Sequence, residues 1–243
     1  ESDPIIINFI ENITLNNISS YFICDSEYIT FDGQSFIITI DNVTNYPGLI
    51  QNGTSSSVGK TNITIQNIGV KTSNSSTLAQ SGGWVAQSYF GFQISDGSIS
   101  VSDCYSTGII SGDYSGGIFG GYGSNRMSDG SISVSGCYST GDLSGSGSGG
   151  IFGNRGGYQM SGGSISVSDC YSTGIISGQS SGGIFGLRCG DEMSGGSISV
   201  SDCYSTGELS GKFSGGIVGD FGGYQMSGGS ISVSDCYSTG ELS

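Results

Sequence analysis

Gly97-Ser-Ile-Ser-Val-Ser-Asp-Cys-Tyr-Ser-Thr-Gly108 is the stretch from which most of this chain is built. Near-copies of it place Cys104, Cys137, Cys170, Cys203 and Cys236 at a constant interval of 33 residues. A second phrase, beginning Ser-Gly-Gly-Ile, keeps the same step at Ile118, Ile151, Ile184 and Ile217. A fixed period without insertions marks a solenoid, in which each repeat stacks on its neighbours.

Side-chain parity follows from the same stretch. Ile99 and Val101 alternate with Ser98, Ser100 and Ser102, the period-2 pattern of a half-buried strand. Further on, Ile110, Leu143, Ile176, Leu209 and Leu242 are always apolar, whereas Ile109, Asp142, Ile175, Glu208 and Glu241 vary and should face solvent. The buried positions change from odd to even, so the phase shifts by one between them. A bend at Ser102-Asp103 does this, placing Cys104 inside with Ile110 and leaving Tyr105 outside or at a corner.

The rest of each copy is a variable loop, Gly-Gly-Tyr-Gln-Met-Ser-Gly-Gly in its common form. Met127, Met160, Met193 and Met226 also step by 33 residues and read as local packing. Tyr122, Tyr158 and Tyr224 on these loops are suited to stacking on a sugar or a protein partner, or equally on neighbouring loops.

Composition agrees with an all-β chain. Its 46 glycines lack the three-residue period of collagen, and Gly, Ser, Thr and β-branched residues disfavour helix. The net charge of −14, with no histidine, argues against nucleic acid and anionic membranes as partners. No apolar run approaches the roughly 20 residues that span a bilayer, so membrane insertion is not expected. The sequence begins Glu1-Ser-Asp-Pro without an initiator Met, and reads as a mature N-terminus.

Residues 1–80 have fewer glycines and more Asn, Ile and Thr. Runs such as Ile37–Ile40 and Ile63–Ile65 read as strands, and Asp32-Gly33 and Asn52-Gly53 as turns. All six Asn-x-Ser/Thr sequons fall here, at Asn12, Asn17, Asn42, Asn52, Asn62 and Asn74, and they point to a glycosylated surface in the secretory pathway. An open solenoid end exposes core and unpaired strand edges. Residues 1–80 are therefore expected to form an irregular N-terminal capping segment, as coils of the same helix, with the regular array over 81–243.

Gly-Gly-Ile-Phe-Gly followed by Asp-Cys-Tyr-Ser-Thr-Gly resembles the GLUG-type repeat, whose pattern is roughly Gly-Gly-Leu-Val-Gly with Asn-Cys-Tyr-Ala-Thr-Gly. The resemblance covers residues 81–243. It implies a right-handed parallel β-helix within large secreted surface proteins, often adhesin-like. Asp103, Asp169, Asp202 and Asp235 stand where that pattern tends to have Asn, and Gly136 breaks the series. The N-terminal segment is similar, more weakly, to the first coils of pectin-lyase-like β-helices. One repeat per coil would set copies about 4.8 Å apart.

The cysteine ladder does not have metal-ligand spacing. Buried free thiols are the leading reading and disulfides between coils the alternative, with Cys24 and Cys189 off the ladder. The Asp row reads as solvated or turn-capping carboxylates; Ca²⁺ is the one cofactor weighed, and none is expected. Without histidine a Ser or Cys nucleophile lacks its usual base. A polysaccharide-cleaving site has only Asp25, Glu27, Asp32 and Asp41 to draw on. The expectation is a non-enzymatic structural rod of an extracellular, cell-surface or virion-surface fibre, joining copies of itself end to end. Its unfinished last repeat suggests that further repeats or another subunit follow. The alternative is an adhesin or glycan-binding module that engages glycans or a host surface through the repeat loops.

Overall fold

The computed structural model describes residues 3–73 and 75–243, so the sequon at Asn74 lies outside the described residues. Among the described residues there is no helix. Two eight-stranded parallel sheets run the length of the stack. The first comprises Ile5–Asn8, Ile29–Asp32, Ile63–Gln66, Ser98–Ser102, Ser131–Ser135, Ser164–Ser168, Ser194–Ser201 and Gly228–Ser234. The second comprises Ile13–Leu15, Ile37–Ile40, Gly69–Thr72 and the dipeptides Tyr105–Ser106, Tyr138–Ser139, Tyr171–Ser172, Tyr204–Ser205 and Tyr237–Ser238. A third face starts with Phe22–Ile23 on Ile50–Gln51 and continues as single bridges Ile50–Ala86, Ala86–Phe119, Phe119–Phe152, Phe152–Phe185 and Phe185–Val218. The chain is a β-solenoid with one repeat per coil.

Register is strict because a slip of one residue would turn every Ile and Val to solvent. Ile99 pairs with Ile132, Ile132 with Ile165, Ile165 with Ile198 and Ile198 with Ile231. Like residues therefore stack on like, and the core is one continuous cluster from Phe9 to Leu209. Inside it, Phe119, Phe152 and Phe185 lie face to face with centroids 4.4 and 4.7 Å apart, the step between coils.

The phase shift has a clear cause. Asp103, Asp169, Asp202 and Asp235 have φ of 52 to 54°, and Gly136 at the same place has φ 61°. A left-handed residue reverses the direction of the next side chain, so Cys104 and its copies through Cys203 turn inward and are buried. Asp tolerates this conformation better than most residues, and Gly adopts it at no cost. The break in the series at Gly136 thus preserves the bend. Ile110 and its copies through Leu209 are buried, while Ile109, Asp142, Ile175, Glu208 and Glu241 are exposed. Tyr105, Tyr138, Tyr171 and Tyr204 are half-buried on the outer flank, stacked on one another and on the exposed Tyr237 at 4.8 to 5.2 Å.

Residues 1–80 are coils of the same stack, with irregular spacing. Ile5 pairs with Ile29, Ile29 with Ile63 and Ile63 with Ile99, at intervals of 24, 34 and 36 residues. Both main sheets cross position 81 without interruption. The expected covering of the first coil is not found among the described residues: Ile5–Asn8 is an edge strand, and Ile5, Ile6 and Ile10 are exposed.

Candidate functional site

All seven cysteines are free thiols. In the ladder each Sγ lies 3.1 to 3.4 Å from the carbonyl two residues before it, for example Cys104 to Ser102 and Cys170 to Ser168. The thiol neighbours along the row and burial together hold Cys137, Cys170 and Cys203 well above the ordinary thiol range. Off the ladder, burial pushes Cys189 up to about 12, and burial with the nearby Asp25 charge does the same for Cys24. Thiols this far from ionisation are poor nucleophiles and poor metal ligands. The methionine row is core: Met127, Met160 and Met193 are fully buried.

Asp103, Asp169, Asp202 and Asp235 are all exposed, as solvated bend residues would be. No group of three or more acidic, Cys or His side chains suited to a metal occurs among the described residues. Of the four N-terminal carboxylates, Asp25 and Glu27 are exposed, Asp41 is half-buried and Asp32 is buried. Asp32 accepts hydrogen bonds from the Gln34 backbone and side chain, from Gln66 and from Asn67. Burial works to raise its pKa, but these donors outweigh burial and hold it below the ordinary carboxylate value. A carboxylate fixed in this way is a structural acceptor at the turn into Gly33.

The sequon asparagines separate into two kinds. Asn12, Asn17 and Asn42 are exposed, and each uses only its Oδ1, accepting from Ile37, Ser19 and Ser75 respectively. Asn62 is half-buried. Asn52 corrects the sequence reading: it is fully buried, its Oδ1 accepts from the Lys60 backbone and its Nδ2 donates back to the Lys60 carbonyl. That amide clamps a turn and has no room for a glycan in this fold.

The most site-like place in the array is a cleft of about 310 Å³ lined by Tyr114, Tyr122, Asn154, Arg155, Leu187 and Arg188. It lies where the ladder residues change from coil to coil. Residues Ser81, Tyr114, Gly147, Ser180 and Phe213 occupy one left-handed ladder position, and at Gly147 the side chain is missing. A Cβ on Gly147 would lie 2.9 Å from the Tyr114 ring and 3.1 Å from Leu187. The neighbouring ladder runs Tyr89, Tyr122, Arg155, Arg188, Phe221, so planar groups stack along the axis even where their chemistry changes. Tyr89 covers Tyr122 at 4.9 Å, and the Arg155 guanidinium lies 4.4 Å from the Tyr158 ring and 5.7 Å from Tyr122. The Arg188 guanidinium lies 5.2 Å from the Tyr224 ring and 5.7 Å from Phe221.

Beneath the two arginines lies Asp191, its side chain fully buried, with Oδ2 3.4 Å from Arg155 Nε and 3.5 Å from an Arg188 Nη. Burial pushes its pKa above the ordinary carboxylate value, and the two guanidiniums pull the other way. Among the described residues neither Asp191 oxygen has a hydrogen-bond partner, and nor does Oδ1 of the buried Asn154. The loop tyrosines expected as contact residues are thus partly consumed by the array. Tyr122 lines the cleft, Tyr158 packs under Arg155, and Tyr224 at the outermost coil is exposed.

Arg155, Arg188 and Asn154 were not legible as a site. The available signal was positional: all three arginines of the chain, Arg126, Arg155 and Arg188, fall in the variable loops, and two share one ladder position. A second cleft, of about 390 Å³, is lined by Ser35, Asn67, Asp103, Tyr105, Gly136 and Tyr138, where Gly136 removes one aspartate from its row. No helix among the described residues is long and apolar enough to cross a membrane. No family, curated protein or solved structure matches the chain.

Proposed function

We propose that this chain is a stiff structural rod of an extracellular fibre, in which copies join end to end. The observation that carries the reading is the unbroken set of in-register ladders, which link the coils from Ile5–Asn8 to Gly228–Ser234 through one continuous core. Bending such a rod would open backbone hydrogen bonds on one flank and compress close-packed side chains on the other.

In such a joint the outermost described coils would meet. Leu209 is 8% exposed and Leu242, the next residue of the same ladder, is 84% exposed; Val200 is buried and Val233 is exposed. At the other end Ile5, Ile6, Ile10 and Ile23 are exposed. Another copy stacked on these faces would bury the apolar ladders and pair the open strands, and repetition of such a heterologous contact yields an open polymer. Glycans on Asn12, Asn17 and Asn42 would decorate the N-terminal coils and place the protein outside the cell. The GLUG-like phrases quoted above support the same reading.

Electron microscopy of the purified, unreduced protein tests it. Fibres with an axial step of about 4.8 Å per coil are expected, and Val233→Asp, which puts a charge on the end face, should disperse them into single rods. Single rods from the unaltered chain at every concentration, indistinguishable from the variant, would remove the reading.

A further inference from the structure

We propose that the cleft between Tyr114 and the Arg155–Arg188 pair binds an acidic sugar residue through its carboxylate. The inference goes beyond the rod: it concerns one place where a periodic structure is aperiodic. Elsewhere the coils repeat nearly identical side chains, whereas the ladders around this cleft change residue from coil to coil. Gly147 stands between Tyr114 and Ser180, Asn154 and Leu187 between Gly121 and Asp220, and Arg155 and Arg188 between Tyr122 and Phe221. Asn154, Leu187 and the two arginines line the cleft with Tyr114 and Tyr122.

The chemistry follows from what remains unused. Two guanidiniums face one carboxylate, Asp191, which takes Nε of Arg155 and one Nη of Arg188. Their other N–H groups form no side-chain hydrogen bond among the described residues, so both arginines keep donors for an incoming anion. Guanidiniums held over aromatic rings, as these are, are pre-organised for planar, forked recognition of a carboxylate. The nearby Glu192 keeps its charge, but its oxygens are turned to Tyr158 and Gln159 and form no ion pair with either arginine among the described residues. A buried anchor beneath two arginines also holds them against the free rotation that would otherwise be lost on binding.

The remaining groups point to a sugar ring. Asn154, a residue of the cleft wall, holds a buried Oδ1 acceptor without a donor among the described residues. Tyr122 has its faces occupied by Tyr89 and Arg155, but Tyr114 has no aromatic partner among the described residues and its ring lies directly against Gly147, where a side chain would collide with it. Tyr114 and Leu187 therefore offer an apolar wall opposite the arginines, suited to the C–H face of a ring. The cleft is at the small end of ligand pockets, enough for one residue of a chain and not for a folded partner.

The test is titration of the whole chain, by calorimetry and by NMR shift mapping, with methyl glucuronide and methyl glucoside, which differ in the carboxylate. Saturable binding of the glucuronide, at least ten-fold tighter than the glucoside, is expected. Gly147→Tyr restores the residue found at Tyr114, keeps every charge and should abolish binding. Arg188→Lys keeps the charge but loses the fork and should weaken binding several-fold, with melting temperature and far-ultraviolet dichroism as checks on folding. The proposal falls if the two glycosides bind alike or not at all. It also falls if acetate or a tri-aspartate peptide binds as tightly as the glucuronide, or if a folded Gly147→Tyr protein still binds. None of these outcomes depends on whether rods join into fibres.

Discussion

Asp32 shows how a single side chain is committed by its surroundings. It ends a strand, its carboxylate collects four hydrogen bonds from Gln34, Gln66 and Asn67, and its pKa falls below the ordinary 3.8. A folded-state pKa below the unfolded one adds stability that is present above the unfolded value and lost as pH falls through the folded value. Asp32→Asn should therefore cost about 1 kcal/mol near pH 7. The difference between the two proteins should shrink below about pH 4, where the carboxyl of the unaltered chain is itself taking up a proton. Denaturant melts at pH 7 and pH 2.5 would read this, and an equal cost at both would show that the charge is not what matters. The same scale explains why Asn52 misled: Asn52-Gly-Thr satisfies the sequon as fully as Asn12-Ile-Thr does, and only the turn closed by Lys60 decides that one amide is inside.

The ladder is the next unit up, and the cysteine row is the most testable. Cys104, Cys137, Cys170 and Cys203 are buried, with their thiols on backbone carbonyls; Cys236 in the outermost coil is half-exposed. Burial raises the Cys236 pKa, but this is the ladder thiol that solvent can reach. Alkylation of the folded protein at pH 8 should modify Cys236 first and leave the other six unreacted for hours, while all seven react in denaturant. Mass spectrometry of the folded, unreduced chain showing a bridge between neighbouring rungs would overturn the free-thiol row. The loops obey another rule at this level. Tyr122, Ser124 and Arg126 have φ near +60°. Tyr122 and Arg126 donate their N–H to the next coil, at Asn154 and Tyr158, and Ser124 donates to the previous one, at Phe90. Alternating handedness lets a loop without strands bond to both neighbours.

For the whole molecule, the fold was readable because period and parity are global constraints. A 33-residue step, two phases of burial and a bend at Asp103 leave one arrangement, and the coils have it. The N-terminal coils were less readable, since their intervals of 24, 34 and 36 residues carry no repeat to align. The cleft was unreadable for the opposite reason: within a strong repeat, the departures at Gly147, Asn154 and Arg155 look like loop variation until the coils are stacked. Only then do residues 33 apart become neighbours and line one cleft.

Strict register has one more consequence, for length. Each interior coil presents to its neighbours above and below nearly the same surface, so removing a whole unit joins two faces already matched. Deleting residues 131–163 would bring Ile99 opposite Ile165 and Tyr105 opposite Tyr171, the residues that Ile132 and Tyr138 meet now. The shortened chain should fold, lose about 4.8 Å of contour and differ little in melting temperature, whereas deleting 30 or 36 residues leaves one coil out of step with the array and should lower the melting temperature. The same excision takes out Gly147, Asn154 and Arg155, so the protein would remain a rod and lose its cleft. A gene carrying such units can therefore be lengthened or trimmed by recombination in whole steps, as a measuring tape is cut at its marks, while any specific feature survives only in the copies that retain it.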